Sequence, residues 1–286
     1  MASIPSPLDW IGGPALLWVL CAALLYRLGR RRNPSRHGEG WRTASFAAGL
    51  LAIVIALDSP IDGLAEELFW VHMVQHILLI GVAAPLLALA RPWARMWRGF
   101  PLSYRRAVGR RIAGPGWRPL RGAATFLGGG VVSWLLFNVT FCAWHLPVLY
   151  DAALRLEFVH GIEHLSFFAV ALLFWTRVVD SPPWRTPLSE LGKLAYLGST
   201  MVVGWVLAIV LAVAGSPIYA VYAEEASRPG HISAFTDQQL AAGVMWVPGS
   251  ISYTIAIIVI AYRWLEPSES RRRPGARPKA LTRGVG

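Results

Sequence analysis

His72 and His76 are four residues apart, and so are His160 and His164. On a helix, that spacing puts both rings of a pair on one face, one turn apart. Two imidazoles so placed can clasp a metal ion from a single helix. The surroundings match as well. Trp70-Val71-His72-Met73-Val74-Gln75-His76-Ile77 and Phe158-Val159-His160-Gly161-Ile162-Glu163-His164-Leu165 both read aromatic, Val, His, x, aliphatic, Gln or Glu, His, aliphatic. A duplication or a shared geometric need would each produce this pattern. Cys142 and His145, at i and i+3, share a third helix face, and Pro147 stops the helix just beyond. Three helix ends can therefore bring five imidazoles and one thiol to one layer, with Met73, Met245, Asp58 and Asp237 within reach. Imidazole with thiolate or thioether suits Cu(I), Zn(II) or iron.

The competing reading is that each ring is an interfacial histidine hydrogen-bonded to carbonyls or to Asp58, Asp151 or Glu163. For His231, alone in a loop, that reading is adopted. For two matched pairs and a Cys-x-x-His on one side, metal or haem binding is the stronger expectation. A polar ring at membrane depth is costly unless paired. Ring nitrogens about 4 Å apart would permit a shared ion, given metal–nitrogen bonds of about 2 Å.

The elements that must position these groups are membrane spans. Of 286 residues, 55% are hydrophobic and only 15% charged, against about 25% charged in soluble domains. Mean hydropathy is +0.46. This excludes an ordinary soluble globule and a largely disordered chain, and two cysteines exclude a disulfide framework. A span needs about 20 mostly apolar residues. Seven stretches qualify, at residues 11–28, 43–57, 71–90, 123–145, 158–179, 194–214 and 243–264. No cleavable signal peptide is evident. Of the 27 Lys and Arg, 25 fall on one side of these spans and only Arg155 and Arg228 on the other. The positive-inside rule then puts the N-terminus outside and the C-terminus in the cytoplasm. Six of the seven histidines lie on the outer side, with only His37 in a cytoplasmic loop. The basic loops are read as topology signals that touch anionic lipid, not as a nucleic-acid surface. Residues 1–265 form one seven-helix, all-α membrane domain. The basic stretch 266–286 is expected to be a disordered cytoplasmic tail.

Other chemistries compete. His160-x-x-Glu163-His164 matches the H-x-x-E-H zinc-hydrolase pattern, in which the glutamate activates water. A membrane cytochrome b would use paired histidines as axial haem ligands, but no histidine lies in the cytoplasmic half of any span. A transporter would place charged groups near the midplane. The spans offer only neutral residues there, and their one acid, Glu163, is near the outer end.

Several segments together resemble the CtaG family of assembly factors for caa-type cytochrome c oxidase. They are Asp58-Ser59-Pro60-Ile61, His72-Met73-Val74-Gln75-His76, Ala84-Pro85-Leu86-Leu87, Trp144-His145-Leu146-Pro147, Tyr150-Asp151-Ala152-Ala153 and His160-x-x-Glu163-His164. Asp237-Gln238-Gln239-Leu240-Ala241-Ala242-Gly243 and Met245-Trp246-Val247-Pro248-Gly249 follow in order. The likeness covers about residues 10–265. It implies a bacterial multi-pass inner-membrane protein that works with oxidase subunits, at their copper centres.

The working expectation is an outer-leaflet metal site, with copper as the metal and zinc or haem as alternatives. Its primary ligands are His72, His76, His160 and His164. His145 and Cys142 come next, with Met73 and Met245 as soft auxiliaries. Glu163 and Gln75 are candidates to orient imidazoles, and Asp237 and Gln238, read as outer-loop residues, to touch metal or partner. A metal-free assembly scaffold is the second expectation.

Overall fold

A computed structural model describes residues 14–32, 39–179, 181, 188–224 and 228–266. His37, the tail from residue 267 and the first three residues of the first expected span lie outside these. The described chain is helical: α1 (Pro14–Arg32), α2 (Gly40–Leu57), α3 (Pro60–Glu67), α4 (Phe69–Ile77), α5 (Ala84–Ala90), α6 (Trp93–Gly99), α7 (Leu102–Ala113), α8 (Arg118–Leu127), α9 (Gly130–Trp144), α10 (Pro147–Arg155), α11 (Glu157–Val178), α12 (Glu190–Val213), α13 (Ala220–Glu224) and α14 (Ala234–Leu265).

Seven spans are expected from the sequence. Among the described residues, five helical segments are long and apolar enough to cross a membrane: α2, Phe69–Ala90, α11, α12 and α14. A sixth exists if Pro115–Leu127 and Gly130–Trp144, which meet at 75°, count as one span. The expected fourth span thus breaks at Gly128-Gly129, where two residues without Cβ lower the cost of leaving the helix. The second half of α1 carries Arg27, Arg30, Arg31 and Arg32. Large apolar side chains such as Trp18, Val139, Phe158, Val247 and Ile258 are exposed. So much exposed apolar surface fits lipid as the solvent.

Phe69–Ala90 is one rod with a wide π turn at Leu78–Ala83. There the Ala84 N–H reaches back five residues to the Leu79 carbonyl. In that register the Ile80 carbonyl would look to residue 85, a proline with no N–H. The indole N–H of Trp175 supplies the missing donor at 2.9 Å, tying α11 to the rod. Elsewhere α12 runs along α14, α14 packs on α4, and α2 packs on α5. The main core gathers Ala56, Phe137, Phe167, Phe174, Trp175 and Tyr253 around α11.

The matched histidine segments sit in a repeated unit. α3 and α10 both open on a proline, and each is joined to the next long helix by a single extended leucine, Leu68 (φ −129°, ψ 116°) and Leu156 (φ −131°, ψ 105°). Leu68 and Leu156 are 88 residues apart, as are His72 and His160, and His76 and His164. At the far end, a guanidinium nitrogen of Arg91 donates to the Val179 carbonyl, again 88 apart. The α4–α5 rod and α11 therefore run parallel and in register, which brings the two histidine pairs level.

Candidate metal centre

The first histidine pair is set by how its helix begins. α4 starts after Leu68, and its first N–H groups have no partner within the helix. Asp237, reaching across from α14, accepts from the N–H of Phe69 and of Trp70, both at 2.9 Å. Arg228 stands 3.9 Å from the same carboxylate. This fixes the first turn, so His72 and His76 project from the next two turns into the interior, at 0% and 3% exposure. On α11, Phe158 and Leu165 face outward, which turns His160, Glu163 and His164 inward.

The two faces meet in one pocket. The Nε2 atoms of His72 and His76 are 3.0 Å apart. The Glu163 carboxylate, fully buried, faces both: Oε2 is 3.7 Å from His72 Nε2 and Oε1 is 3.7 Å from His76 Nε2. His160 stacks on His72 with ring centres 5.3 Å apart, and His164 lies edge-on to His76 at 5.5 Å. One ligand atom each from His72, His160, Glu163 and His164 fall within 4.8 Å of one another.

The pocket is rich in acceptors and short of protein donors. Both oxygens of Glu163, Nε2 of His160 and of His164, and Nδ1 of His76 are buried with no hydrogen-bond partner among the described residues. Buried polar groups are normally satisfied, and leaving one unsatisfied costs about 1–3 kcal/mol. A cation at their centre would satisfy several at once. The donor set, imidazole nitrogens with one carboxylate, suits Zn(II), Cu(II) or Fe(II). The residues present therefore fit a metal ion.

Tyr222 fixes the orientation of His72. Its single hydroxyl proton goes to the Ala65 carbonyl at 2.7 Å. Its oxygen, 3.3 Å from His72 Nδ1, then receives the ring N–H. The lone pair of His72 is thereby left on Nε2, facing Glu163. Tyr150 and Tyr219 pack against Tyr222 and Phe69 behind it. Spacing along the chain gives no sign of Tyr222, which is 150 residues from its partner.

The other expected residues divide clearly. His145 caps α9, buried at 6% exposure, among Phe141, Tyr150 and Phe167 and outside the four-residue group. Cys142 is exposed and does not join. His145 is buried at the end of the helix while Cys142 faces out, so the two do not present one common ligand face. Met73 is buried against Phe69 and Tyr150. Met73 and Met245 line an adjoining cavity with His76. Glu163 does more than orient a neighbouring ring, because its carboxylate is inside the group. Gln75 points the other way, donating to the Ala56 carbonyl at 2.9 Å and to Asp62 at 2.6 Å. Burial raises the Asp62 carboxyl above the usual carboxylate range, and the Gln75 bond opposes that shift. Asp62 was not anticipated from the sequence. Asp58 ends α2 as its C-cap, and Asp151 accepts from the Val221 N–H at 3.4 Å.

Asp237 and Gln238 are not loop residues. The Ser233 side chain accepts from the Thr236 N–H and starts α14 there, well before the apolar run expected at residue 243. Both are buried, so neither meets a partner protein at the surface. Gln238 accepts from the Ile218 N–H at 2.7 Å and donates to the Leu211 carbonyl at 3.0 Å, holding the connection that carries Tyr219 and Tyr222.

The chain is 24% identical over 235 residues to uncharacterized proteins of Mycobacterium bovis and Mycobacterium tuberculosis, covering 80% of this chain and 35% of theirs. An uncharacterized protein of Mycobacterium leprae is 22% identical over 236 residues with the same coverage. The chain thus spans about a third of the length of these curated relatives. No solved structure matches it. The family model for the cytochrome c oxidase caa3 assembly factor matches residues 19–267, through every element that builds the pocket, and the chain belongs to that family.

Proposed function

We propose that this membrane protein carries copper to cytochrome c oxidase, holding the ion at His72, His76, His160, Glu163 and His164 for transfer to an oxidase subunit. One observation carries the reading: two in-register helices converge imidazoles and a carboxylate on a buried pocket that leaves its acceptor atoms without donors. Membership of the oxidase assembly family supplies the acceptor of the cargo. The ion's contribution is positive charge at the centre of that acceptor set. The chain's own contribution is to fix the His72 ring through Tyr222 and to anchor the first turn of α4 through Asp237. In this reading the chain sits in a bacterial cell membrane, crosses it seven times and keeps the pocket on the outer side. The 25-to-2 split of basic residues supports that orientation.

The test is metal analysis of purified protein, wild type against His72→Ala/His76→Ala and His160→Ala/His164→Ala. Each double variant is expected to lose copper and to fail to restore an active oxidase in cells lacking the protein. Full copper in both variants would sink the proposal. Oxidase failure with copper retained would point to a metal-free scaffold. Zinc in place of copper, with a hydrolytic activity lost in Glu163→Gln, would point to an enzyme. A haem absorption band would point to haem handling.

A further inference from the structure

A small cavity adjoins the histidine–carboxylate pocket and shares His76 as a wall. Its volume is about 60 Å³. Three of the chain's five methionines line it: Met73 from α4, Met201 from α12 and Met245 from α14. They come from three separate helices, so the grouping is not a stripe along one of them. Among the described residues, no carboxylate lines the cavity. The remaining metal-binding group is His145. Its Nδ1 lies 2.7 Å from the Phe141 carbonyl, which can only accept, so the ring proton is on Nδ1 and the lone pair on Nε2. That Nε2 is buried and has no hydrogen-bond partner among the described residues. A histidine with one nitrogen tied to a carbonyl and the other free is prepared as a metal ligand.

We propose that this cavity is a second metal position, selective for a soft monovalent cation, with His145 Nε2 and the thioethers of Met73, Met201 and Met245 as its donors. Thioether sulfur with imidazole and no carboxylate selects ions such as Cu(I) or Ag(I) over Zn(II) or Mg(II). The space suits a bare ion: about 10–15 Å³ of such volume holds one water. The neighbouring pocket, with its carboxylate, has the opposite preference. His76 borders both, so an ion can pass between a soft and a harder donor set. The assignment of the cavity to copper rests on the carrier reading above, but binding of a soft ion there stands without it.

Separate probes for the two positions test this. The full chain with Cys21→Ala and Cys142→Ala, both exposed, leaves methionine as its only sulfur. It is titrated with Ag(I) and with Zn(II), and silver-edge X-ray absorption is recorded on the Ag(I) form. The expected result is sulfur in the silver coordination shell. Met73→Leu/Met245→Leu should weaken Ag(I) binding at least tenfold and leave Zn(II) unchanged. His72→Ala/His164→Ala should do the reverse. An Ag(I) shell of nitrogen and oxygen only would overturn the proposal, and that readout does not depend on any core variant folding. So would Ag(I) affinity that follows the His72/His164 change and ignores the methionines. With every histidine intact, silver–sulfur contacts accompanied by no Zn(II) or copper binding at the larger pocket would defeat the carrier reading alone.

Discussion

The Nε2 atoms of His72 and His76 face each other at 3.0 Å across one helical turn, and both rings are buried. Tyr222 holds the His72 proton on Nδ1, so His72 presents its lone pair on Nε2 and the His76 Nε2–H donates to it. That bond occupies the donor that Glu163 would otherwise take. An ion entering the pocket replaces one weak internal hydrogen bond and meets the carboxylate that the bond leaves unsatisfied.

If Tyr222 sets the ring state of His72, removing its hydroxyl should be felt at the ion without touching it. Tyr222→Phe is expected to lower metal affinity about 10–100-fold, the range for groups that orient a ligand. The metal-free protein should lose about 1 kcal/mol for the lost bond to the Ala65 carbonyl. A competition titration against a chelator checks the first effect. Unchanged affinity would mean that His72 needs no such support.

Glu163→Gln should separate folding from binding. Without an ion, Glu163 has two buried oxygens and no donor among the described residues. The amide removes the charge and adds two N–H donors for the neighbouring ring nitrogens. Metal-free Glu163→Gln is expected to be more stable than wild type by about 1–3 kcal/mol. Added metal should then raise the melting temperature less than in wild type, because the anionic ligand is gone. Thermal unfolding with and without metal reads both signs. A destabilised metal-free variant would show that Glu163 serves the fold.

Asp237 caps a helix on a different part of the chain, 168 residues from Phe69. Charge-assisted hydrogen bonds contribute about 1.5–3 kcal/mol, and two converge here. Asp237→Ala should cost about that much and let the first turn of α4 fray. Asp237→Asn, which keeps one acceptor, should cost less. The loss should extend to metal binding, because His72 is on the next turn. Hydrogen exchange at Phe69 and Trp70 amides is the direct measurement, and equal protection in all three proteins would refute the cap.

The histidine pairs were legible because i, i+4 spacing has one geometric meaning on a helix. Their common level was legible only as similarity between octapeptides, and the 88-residue register that explains it needed the short helices α3 and α10. Glu163 was read as a neighbour pointing about 100° from His164. It is also three residues after His160, so it and His164 straddle that ring's direction and all three reach one pocket. The displaced start of α14 shows the limit of apolar runs as span markers. Asp237 and Gln238 are polar, yet they are helical and buried because their side chains serve backbone groups of other elements. Tyr222 illustrates what a linear reading lacks, since its role depends on a contact made through the α12–α14 connection.

The α1–α6 crossing supplies a contrast in which packing fails and the site does not. Gly29 and Gly99 oppose backbone: a Cβ on Gly99 would sit 2.5 Å from the Leu25 carbonyl oxygen, and one on Gly29 would overlap the Arg95 carbonyl. Arg32 completes the contact by donating to the carbonyls of Gly99 and Phe100, each at 2.7 Å. Gly99→Ala therefore has to push the helices apart, and overpacking of this kind costs about 1–3 kcal/mol. Neither helix lends a side chain to the histidine pocket or to the methionine cavity. Gly99→Ala should lower the unfolding temperature while metal bound per folded molecule stays at the wild-type value. Metal loss equal to that of the histidine variants would mean that any disturbance of the bundle empties the pocket, and the ligand assignments could not then be drawn from metal content alone.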